Sequence, residues 1–309
     1  MKKIKERRRR KSTTYGLSTV PLHLMLFPAV IILFIYRYLP MGGLIIAFQD
    51  FDLTMGISAF WRSEWVGFDN FMRIFGDEAF TRALRNTLTI AIGKMITMYF
   101  FPIFIALLLN EIRISALKRG IQTLVYLPFF LSWVILAGIV RDVLGMDGVI
   151  NTLFFSDAPR FFLGDPSLFQ PMLIITNIWR EFGYATIVYL AAITAVDPEL
   201  YEASMVDGAT RLRQTWHVTL PGMRPIIVLT AVLSLGGILN AGFDQVFNLY
   251  SVPVRATGDI IDTLVFRTAM VGGQFHVGTA IGLFNSLVGF ILIITANGLA
   301  KKFAGYQVF

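Results

Sequence analysis

The chain has 309 residues, of which 55% are hydrophobic and only 15% are charged. This composition is more apolar than a soluble globular domain requires, so it indicates an integral membrane protein. Cysteine is absent, which excludes disulfides and thiolate sites, and the formal net charge of +7 must be weighed against the Lys and Arg excess of cytoplasmic loops.

The N-terminal segment is strongly basic. Residues 1–11 contain eight Lys or Arg side chains and one acid, Glu6. A nucleic-acid patch is the alternative interpretation, but an apolar stretch follows directly. We therefore interpret residues 1–19 as a cytoplasmic segment at an anionic lipid leaflet, with no nucleic-acid partner, and residues 20–309 as a transmembrane domain.

Six apolar stretches are each long enough to cross about 30 Å of hydrocarbon as a helix. The first lacks a small-residue cleavage site and is interpreted as a retained span. The third contains Pro128, which a helix bundle accommodates where neighbouring groups satisfy the freed carbonyl. The predicted spans cover approximately residues 20–39, 86–109, 121–140, 169–193, 225–250 and 277–299.

Basic residues are distributed unevenly between the two sides of this arrangement. The N-terminal side holds 16 of the 27 Lys and Arg residues, and the opposite side holds nine. Because short cytoplasmic loops are enriched in Lys and Arg, both termini are predicted to be cytoplasmic. Residues 40–84 are rich in aromatic side chains, which indicates a position at or beyond the outer interface.

The sixth span carries small residues on one helical face. Such a face permits close packing of backbones, either within this chain or against a second subunit, and the sequence leaves both open. The residues are Gly278, Gly282, Ser286 and Gly289.

Two clusters of polar and aromatic residues fall within the predicted spans. Ionisable groups at membrane depth are costly and usually face a bundle interior or a water-filled path, so a route for a polar solute is one hypothesis and a structural role is the other. The first cluster, in span four, is Trp179, Arg180, Glu181 and Tyr184. The second, in span five, is Asn240, Phe243, Asp244, Gln245 and Asn248.

The second cluster yields a specific hypothesis. If it lines the path, Asp244→Ala or Gln245→Ala lowers solute uptake without lowering membrane abundance.

Motifs for enzyme chemistry are missing from the sequence. The only Gly-Lys pair, Gly93-Lys94, lacks the upstream glycine of a phosphate-binding loop. The three histidines fall in separate segments without metal-ligand spacing. We therefore expect no catalytic residues, no metal site and no cofactor in this chain.

The polar stretch 197–222 separates spans four and five. Asp197 followed by Pro198 is typical of a helix start, and Gly208 is a natural helix stop. A second start at Thr210 and a stop at Pro221-Gly222 predict two short helices hinged at Gly208-Ala209. An ordinary surface hairpin is the simplest interpretation of this pattern alone.

A longer motif in this stretch indicates more. Glu202-Ala-Ser-x3-Gly208, then nine residues, then Val218-x-Leu-Pro221, resembles the EAA loop of ABC-importer membrane subunits, E-A-A-x3-G-x9-I-x-L-P. The chain departs from the pattern at Ser204, at Val218, and at Thr215, where sugar permeases usually have Phe.

Four further stretches look like the polysaccharide and oligosaccharide permease subfamily of type I ABC sugar importers. They are Tyr38-Leu-Pro-Met-Gly-Gly-Leu-Ile-Ile-Ala-Phe-Gln-Asp50, Trp65-Val-Gly-Phe-Asp-Asn-Phe71, Trp179-Arg-Glu-Phe-Gly183 and Ile261-Asp-Thr-Leu-Val-Phe-Arg-Thr268.

The resemblance implies an all-α permease of six transmembrane helices in the bacterial cytoplasmic membrane, with cytoplasmic coupling helices between spans four and five. It implies import of a sugar, in particular an oligosaccharide or polysaccharide fragment. The implied partners are a second, usually different permease, two ATP-binding cassette subunits that bind ATP and Mg, an extracellular solute-binding protein and membrane lipid. The implied ATPase-coupling residues are Glu202, Ala203, Ser204, Asp207, Gly208, Ala209, Leu220 and Pro221.

Three alternatives remain from the sequence. An ABC permease for peptides, amino acids or metals shares the loop. A secondary transporter needs its own ion site and usually internal repeats, and none is evident. A structural or assembly factor leaves the polar groups of spans four and five unexplained.

Overall fold

The computed structural model describes residues 19–304, so nearly all of the predicted basic segment 1–19 lies outside the described residues. The described chain is mostly helical. Its longer α-helices are Val20–Leu33, Glu78–Glu111, Ser115–Tyr126, Trp133–Leu144, Pro166–Thr194, Leu220–Gly236 and Phe275–Ala304. Its shorter α-helices are Leu39–Met41, Ala59–Arg62, Asp69–Phe75, Val149–Phe154, Pro198–Val206, Arg211–Gln214, Phe243–Leu249, Arg255–Gly258 and Ile261–Val265.

Wider and tighter helical turns connect several of these helices. The π-helical turns are Phe34–Tyr38, Thr215–Thr219 and Phe266–Val271. The 3-10 turns are Gly42–Phe48, Leu53–Ser58, Leu127–Phe130 and Val252–Val254.

A small strand pair departs from the purely helical expectation. β1 (Gln49–Asp50) and β2 (Glu64–Trp65) pair antiparallel, with Gln49 opposite Trp65. The buried amide of Asn70 donates to the carbonyls of Ala47 and Gln49, at 3.0 and 2.9 Å. These bonds tie the pair to the helix Asp69–Phe75.

The described residues contain fewer than the six expected helices that are long and apolar enough to span a membrane. Four of the described helices do so, or five if a bent pair counts as one. The 29-residue helix Pro166–Thr194 is not among them, because Arg180 and Glu181 lower its mean hydropathy.

The expectation of a continuous third span was wrong. The helical segments Ser115–Phe130 and Trp133–Phe154 meet at an angle of 103°. Pro128 has no N–H for the helical ladder, and the backbone at Leu131 is extended. Ser132 then starts a new helix by accepting from the N–H of Ile135 at 3.4 Å.

The fifth span begins and ends earlier than expected. Helical backbone runs without interruption from Arg211 to Gly236, so Pro221 does not stop the second helix. The N–H of Leu220 bonds to the carbonyl of Thr215, five residues back, and this widened turn accommodates the proline that follows. Residues 237–239 then form a turn and residues 240–242 are irregular, which places the predicted polar cluster of span five outside this helix.

Two long helices run side by side and parallel through the molecule, with Asn86 beside Gln170 near one end and Pro102 beside Thr186 near the other. Glu78–Glu111 packs along Pro166–Thr194, and a Cβ added at Gly93 would lie 2.4 Å from Cδ1 of Ile174. Toward one end they enclose Phe169 and Leu173, together with Val246. The other end is closed by a second cluster that comprises Ala106, Tyr189, Ala192, Ile193 and Met223.

The first and last spans differ in their packing. No side chain from Val20 to Met41 is buried, so this apolar helix is open to lipid or to another subunit. In the last helix, a Cβ at Gly278 would lie 2.6 Å from Cβ of Ala269, whereas one at Gly282 meets nothing within 4 Å. The small-residue face thus packs partly within the chain and is partly open.

Candidate functional site

A loop follows the long helix Pro166–Thr194 and leads to the continuous helical backbone that begins at Arg211. Its own hydrogen bonds hold it together. Asp197 caps the helix Pro198–Val206 by accepting from the N–H of Glu199 at 2.9 Å. Gly208 has φ +74°, a left-handed conformation that glycine adopts without strain. The N–H of Ala209 reaches back to the carbonyl of Ser204 at 2.9 Å. The turn expected at Gly208 is therefore present. Residues 197–222, for which the resemblance implies a coupling role, are called the coupling loop below.

Polar side chains hold the two arms of the coupling loop together. The buried amide of Gln214 donates to the hydroxyl of Ser204 at 3.0 Å, and that hydroxyl donates to the carbonyl of Tyr201 at 2.7 Å. The hydroxyls of Tyr201 and Thr219 lie 3.0 Å apart. Ser204, one of the departures from the EAA pattern, therefore faces the inside of the loop.

The outer face of the coupling loop exposes both charged and apolar residues. Glu202, Ala203 and Asp207 are exposed, as the resemblance requires for contacts with another subunit. Val206 is 89% exposed and Trp216 is 63% exposed. Neither was expected as a contact, although Trp216 directly follows Thr215 and supplies an aromatic ring beside the position where that pattern has Phe.

The last two predicted coupling residues lie in the helix that leads back into the membrane. Leu220 is half-buried and Pro221 is exposed. A Cβ added at Gly222 would lie 2.6 Å from Cγ2 of Val196, so this glycine permits close packing of the helix Leu220–Gly236 against the residues that follow Thr194.

Arg180 closes the break in the third span. Its guanidinium donates to the carbonyls of Leu131 at 3.2 Å and Phe129 at 3.4 Å, and it forms an ion pair with Glu181. Its Cζ also lies 5.2 Å from the ring centroid of Trp133. These contacts satisfy carbonyls that the helix break leaves free, which is the structural alternative considered for this residue.

The aromatic members of the first polar cluster remain accessible. Tyr184 stacks on Phe129 with ring centroids 4.1 Å apart and is half exposed. Trp179 is also exposed. Both present ring surface outside the packed core of the chain.

A buried polar network joins the second cluster to the long helices. The ammonium group of Lys94 donates to the carbonyl of Ala241 at 2.5 Å and to the side-chain oxygen of Gln245. The amide of Gln245 in turn donates to the carbonyl of Leu173 at 2.8 Å and to the hydroxyl of Thr176 at 2.7 Å. Gln245 is therefore fully enclosed. Its partner is Lys94, which the sequence analysis considered only as part of the Gly93-Lys94 pair.

The other members of the second cluster lie nearer the surface. Asp244 and Asn240 are exposed, and Phe243 and Asn248 are half-buried. Asn240 accepts from the N–H of Gly242 at 3.0 Å and thereby supports the left-handed turn there. The structure thus separates accessible Asp244 from enclosed Gln245, two neighbours that the sequence treats alike.

Three arginines converge on the segment that follows. Arg141 donates to the carbonyl of Asn248, and Arg255 donates to the hydroxyl of Tyr250 at 3.0 Å. Arg267 makes two hydrogen bonds with the carboxylate of fully buried Asp259, at 3.0 and 2.6 Å. These bonds, with a smaller contribution from Tyr250, raise the pKa of Arg267. Arg141, Arg255 and Arg267, with Asn248 and Tyr250, are called the outer arginine cluster below.

Within residues 19–304, no group of three or more His, Cys, Asp or Glu side chains is placed to hold a metal ion. The expectation that the chain itself holds no cofactor stays a prediction.

Comparison with known proteins gives consistent matches. The family described as binding-protein-dependent transport system inner membrane component matches residues 98–304. The chain is 45% identical over 285 residues to the polygalacturonan/rhamnogalacturonan transport system permease protein YteP of Bacillus subtilis (strain 168), covering 91% of this chain and 88% of that protein. It is 44% identical over 285 residues to Protein LplB of the same organism, with coverage of 91% and 89%.

Solved structures match over nearly the whole chain. A bacterial ABC transporter involved in the import of the acidic polysaccharide alginate contains a chain that is 36% identical, with a TM-score of 0.85. The match covers 93% of this chain and 97% of that one. A second structure of a bacterial alginate ABC transporter, in complex with an alginate pentasaccharide-bound periplasmic protein, matches equally well.

Proposed function

The chain belongs to the family of binding-protein-dependent transport system inner membrane components, and from this premise we propose that it is the permease subunit of an ATP-driven sugar importer. It is a multi-pass protein of the cytoplasmic membrane and a transport subunit, not an enzyme. The likeness to permeases of polysaccharide transport systems over nine-tenths of the chain supports a sugar as the solute.

The geometry of the coupling loop carries the proposal of ATP coupling. The loop closes one end of the two long parallel helices, and its own hydrogen bonds make it a compact unit. Glu202, Ala203, Asp207, Gly208 and Ala209 lie at its turn, where an ATPase subunit has access. Ser204 holds this turn from inside. Leu220 and Pro221 are the first residues of the helix Leu220–Gly236, so movement of the loop enters the helix through them. Because that helix continues the loop without a break, a push on the loop tilts the helix as a rigid body.

We propose six spans with both termini cytoplasmic. The apolar helices and the bent pair give five, and Pro166–Thr194 gives the sixth. At 1.5 Å per residue, its 29 residues measure about 43 Å, enough to cross the hydrocarbon. Residues 1–19 then form a cytoplasmic basic segment, and residues 20–309 form the permease domain, with the coupling loop at 197–222.

The assembly proposed around this chain contains a second permease, two ATP-binding cassette subunits and an extracellular solute-binding protein. The open apolar surface of Val20–Met41 supports contact with the second permease or with lipid. ATP and Mg are bound by the cassette subunits. Closure of these subunits on ATP turns the permease pair outward, and hydrolysis resets it.

The solute proposed is an oligosaccharide or polysaccharide fragment. Exposed Trp179 and Tyr184 offer ring surface for sugar, and Asp244, Asn248, Asn240 and Phe243 offer polar and aromatic contacts. Gln245 is enclosed, and half-buried Arg180 bonds to the carbonyls of Leu131 and Phe129. Both residues are therefore proposed to hold this surface in place, and the half-buried Glu181 is proposed to hold Arg180. A permease for another solute class, or a secondary transporter, is the alternative.

The experiment is uptake into proteoliposomes that contain this chain with its partner permease and cassette subunits, and with binding protein outside. Uptake of a labelled oligosaccharide that depends on ATP trapped inside, and that persists with proton and sodium ionophores, supports the proposal. Uptake that stops with an ionophore and ignores ATP identifies a secondary transporter.

A further inference from the structure

The outer arginine cluster lies about one membrane thickness from the coupling loop. The amide of Asn86 donates to the carbonyls of Ala256 and Asp259, at 3.1 and 3.0 Å. Twenty residues later in the same helix, Ala106 packs on Met223 beside the coupling loop. Twenty helical residues measure about 30 Å, the thickness of the hydrocarbon. The cluster is therefore on the side from which solute arrives.

The cluster has more positive charge than its acidic partner balances. Both carboxylate oxygens of Asp259 bind Arg267, and one of them also accepts from the hydroxyl of Thr263 at 2.8 Å. Among the described residues, no carboxylate oxygen lies within 4 Å of Arg141 or Arg255. Two guanidinium charges therefore remain without a counter-ion among the residues that the structure describes.

Arg255 has the donors that an anion requires. Arg255 is exposed, and its Nε donates to the hydroxyl of Tyr250. No described residue accepts a hydrogen bond from its two terminal nitrogens. The same hydroxyl also interacts with Arg267, and no described residue accepts its hydrogen. A carboxylate beside Tyr250 can accept from both the phenol and the terminal guanidinium nitrogens, the paired geometry that arginine provides best.

Arg141 has a different part in the arrangement. It donates to the carbonyl of Asn248 at the end of the short helix Phe243–Leu249, where a cation also complements the helix dipole. The bond holds the backbone that leads to Tyr250. Arg141 is therefore a positioning residue, and Arg255 is the accessible cation.

An aromatic surface adjoins the cluster. Phe243 stacks on Phe247 with centroids 5.1 Å apart, and Phe266, next to Arg267, contacts Phe247 at 5.0 Å. Phe247 is 46% exposed, so part of its ring is open three residues before Tyr250. An open ring face favours the C–H groups of a pyranose, which complements carboxylate binding beside it.

We propose that the outer arginine cluster and Phe247 form an entry subsite for an acidic oligosaccharide, with Arg255 and Tyr250 binding the carboxylate of a uronic acid unit. The ion pair of Arg267 with Asp259 holds the subsite in place. This inference rests on the proposed function, since a subsite at this end serves an importer of sugars. The names of two matched proteins refer to polygalacturonan/rhamnogalacturonan and to alginate, which are acidic polysaccharides.

A docking site for an acidic face of the binding protein is the competing interpretation. The open ring of Phe247 beside the cations favours a sugar, because an acidic protein patch has no need of that ring. The two interpretations also differ in what they predict for neutral substrates. Loss of a protein docking site weakens delivery of every sugar, whereas loss of a carboxylate subsite weakens delivery of acidic sugars only.

The test compares Arg255→Gln and Arg255→Lys with the wild type in the assembled transporter, supplied with its binding protein. The probes are labelled trigalacturonate and the neutral trisaccharide made by reducing its carboxyl groups. The matched control is Arg160→Gln, which removes another exposed arginine, one that lies over the ring of Phe155 with Cζ 4.8 Å from the centroid.

The proposal expects Arg255→Gln to lower trigalacturonate uptake about tenfold at limiting concentration, which corresponds to the loss of one charge-assisted pair. Arg255→Lys, which keeps the charge but loses the paired donors, restores only part of this uptake, and Arg160→Gln has no effect, at equal membrane abundance. Unchanged trigalacturonate uptake in Arg255→Gln overturns the proposal, as does equal loss with the neutral trisaccharide.

A wild-type complex that imports neutral oligosaccharides with ATP but rejects trigalacturonate also overturns this inference, while the proposed function stands. A wild-type complex that imports no saccharide at all with ATP contradicts the proposed function itself.

Discussion

The ammonium group of Lys94 donates a hydrogen bond to the side-chain oxygen of Gln245, 151 residues later in the sequence. Lys94 lies in the long helix Glu78–Glu111, and Gln245 lies in the short helix beyond the break at residues 237–242. The contact therefore fastens the irregular end of the fifth span to the rigid centre of the molecule. A charge at this depth requires such partners, since water is not available to replace them.

Replacing the lysine leaves its partners without a donor. Lys94→Met is expected to destabilise the protein by about 2 kcal/mol, because the buried oxygens of Ala241 and Gln245 lose their bonds while remaining desolvated. Thermal unfolding in detergent measures the change. Lys301→Met is the control, since this lysine is exposed at the end of the last helix, and its melting temperature should match the wild type.

A double substitution measures how strongly the contributions of Lys94 and Gln245 to stability depend on each other. Lys94→Met with Gln245→Leu should cost clearly less than the sum of the two single changes, because removing both partners leaves fewer polar atoms unpaired. Strictly additive losses would show that the two side chains do not depend on each other.

Gln245→Ala and Asp244→Ala should have different effects, although the residues are neighbours. Asp244 is exposed and makes no described side-chain hydrogen bond, so its loss is expected to lower sugar uptake several-fold at normal membrane abundance. Gln245→Ala is expected to lower abundance or stability first. Asp157→Ala, at another exposed acid, serves as the control for charge. Normal uptake by Asp244→Ala would remove this residue from the path.

Ser204→Ala restores the residue of the EAA pattern but is expected to be unfavourable here. The buried amide of Gln214 loses the acceptor that Ser204 provides, at a cost of about 1 kcal/mol. Adding Gln214→Leu should recover most of the loss. Unfolding temperature and stimulated ATP hydrolysis are the measurements, and a more stable Ser204→Ala protein would contradict the assigned role of the hydroxyl.

Gly208→Pro is expected to insert and assemble normally yet fail to stimulate ATP hydrolysis in the complex. Proline cannot adopt φ +74°, and it lacks the N–H that bonds to the carbonyl of Met205 at 3.0 Å. Gly273→Pro is the matched control, because Gly273 has φ +70° but lies outside the coupling loop. Full stimulation by Gly208→Pro, or equal loss in both variants, counts against coupling through this turn.

Local sequence signals predicted the structure correctly where a single residue determines the backbone conformation. Asp197 caps its helix and Gly208 turns left-handed, as their types predict. Pro221 and Pro128 show the limit of such signals. Pro221 is accommodated by a π-helical turn, whereas Pro128 lies at a sharp bend. The difference depends on packing that the residues next to each proline do not encode.

Contacts between distant residues were the part that the sequence could not provide. Lys94 meets Gln245, and Arg180 meets the carbonyls of Leu131 and Phe129, only after the long helices pack. The polar character of Gln245 indicated a function, but its enclosure follows from the tertiary fold. Trp216 could have been anticipated as a candidate contact, because it is an aromatic residue directly beside Thr215, where the pattern usually has Phe.

The most direct test of the account is the position and contact of the coupling loop. The chain has no cysteine, so Ala203→Cys introduces a unique thiol at an exposed position. In sealed membranes we expect an impermeant thiol reagent to reach it only from the cytoplasmic side. In the assembled complex it should cross-link to an ATPase subunit and halt hydrolysis until the cross-link is reduced. Val252→Cys, 77% exposed near the outer arginine cluster, should be labelled only from outside. Labelling of Ala203→Cys from outside, or no cross-link to an ATPase subunit, would contradict the account.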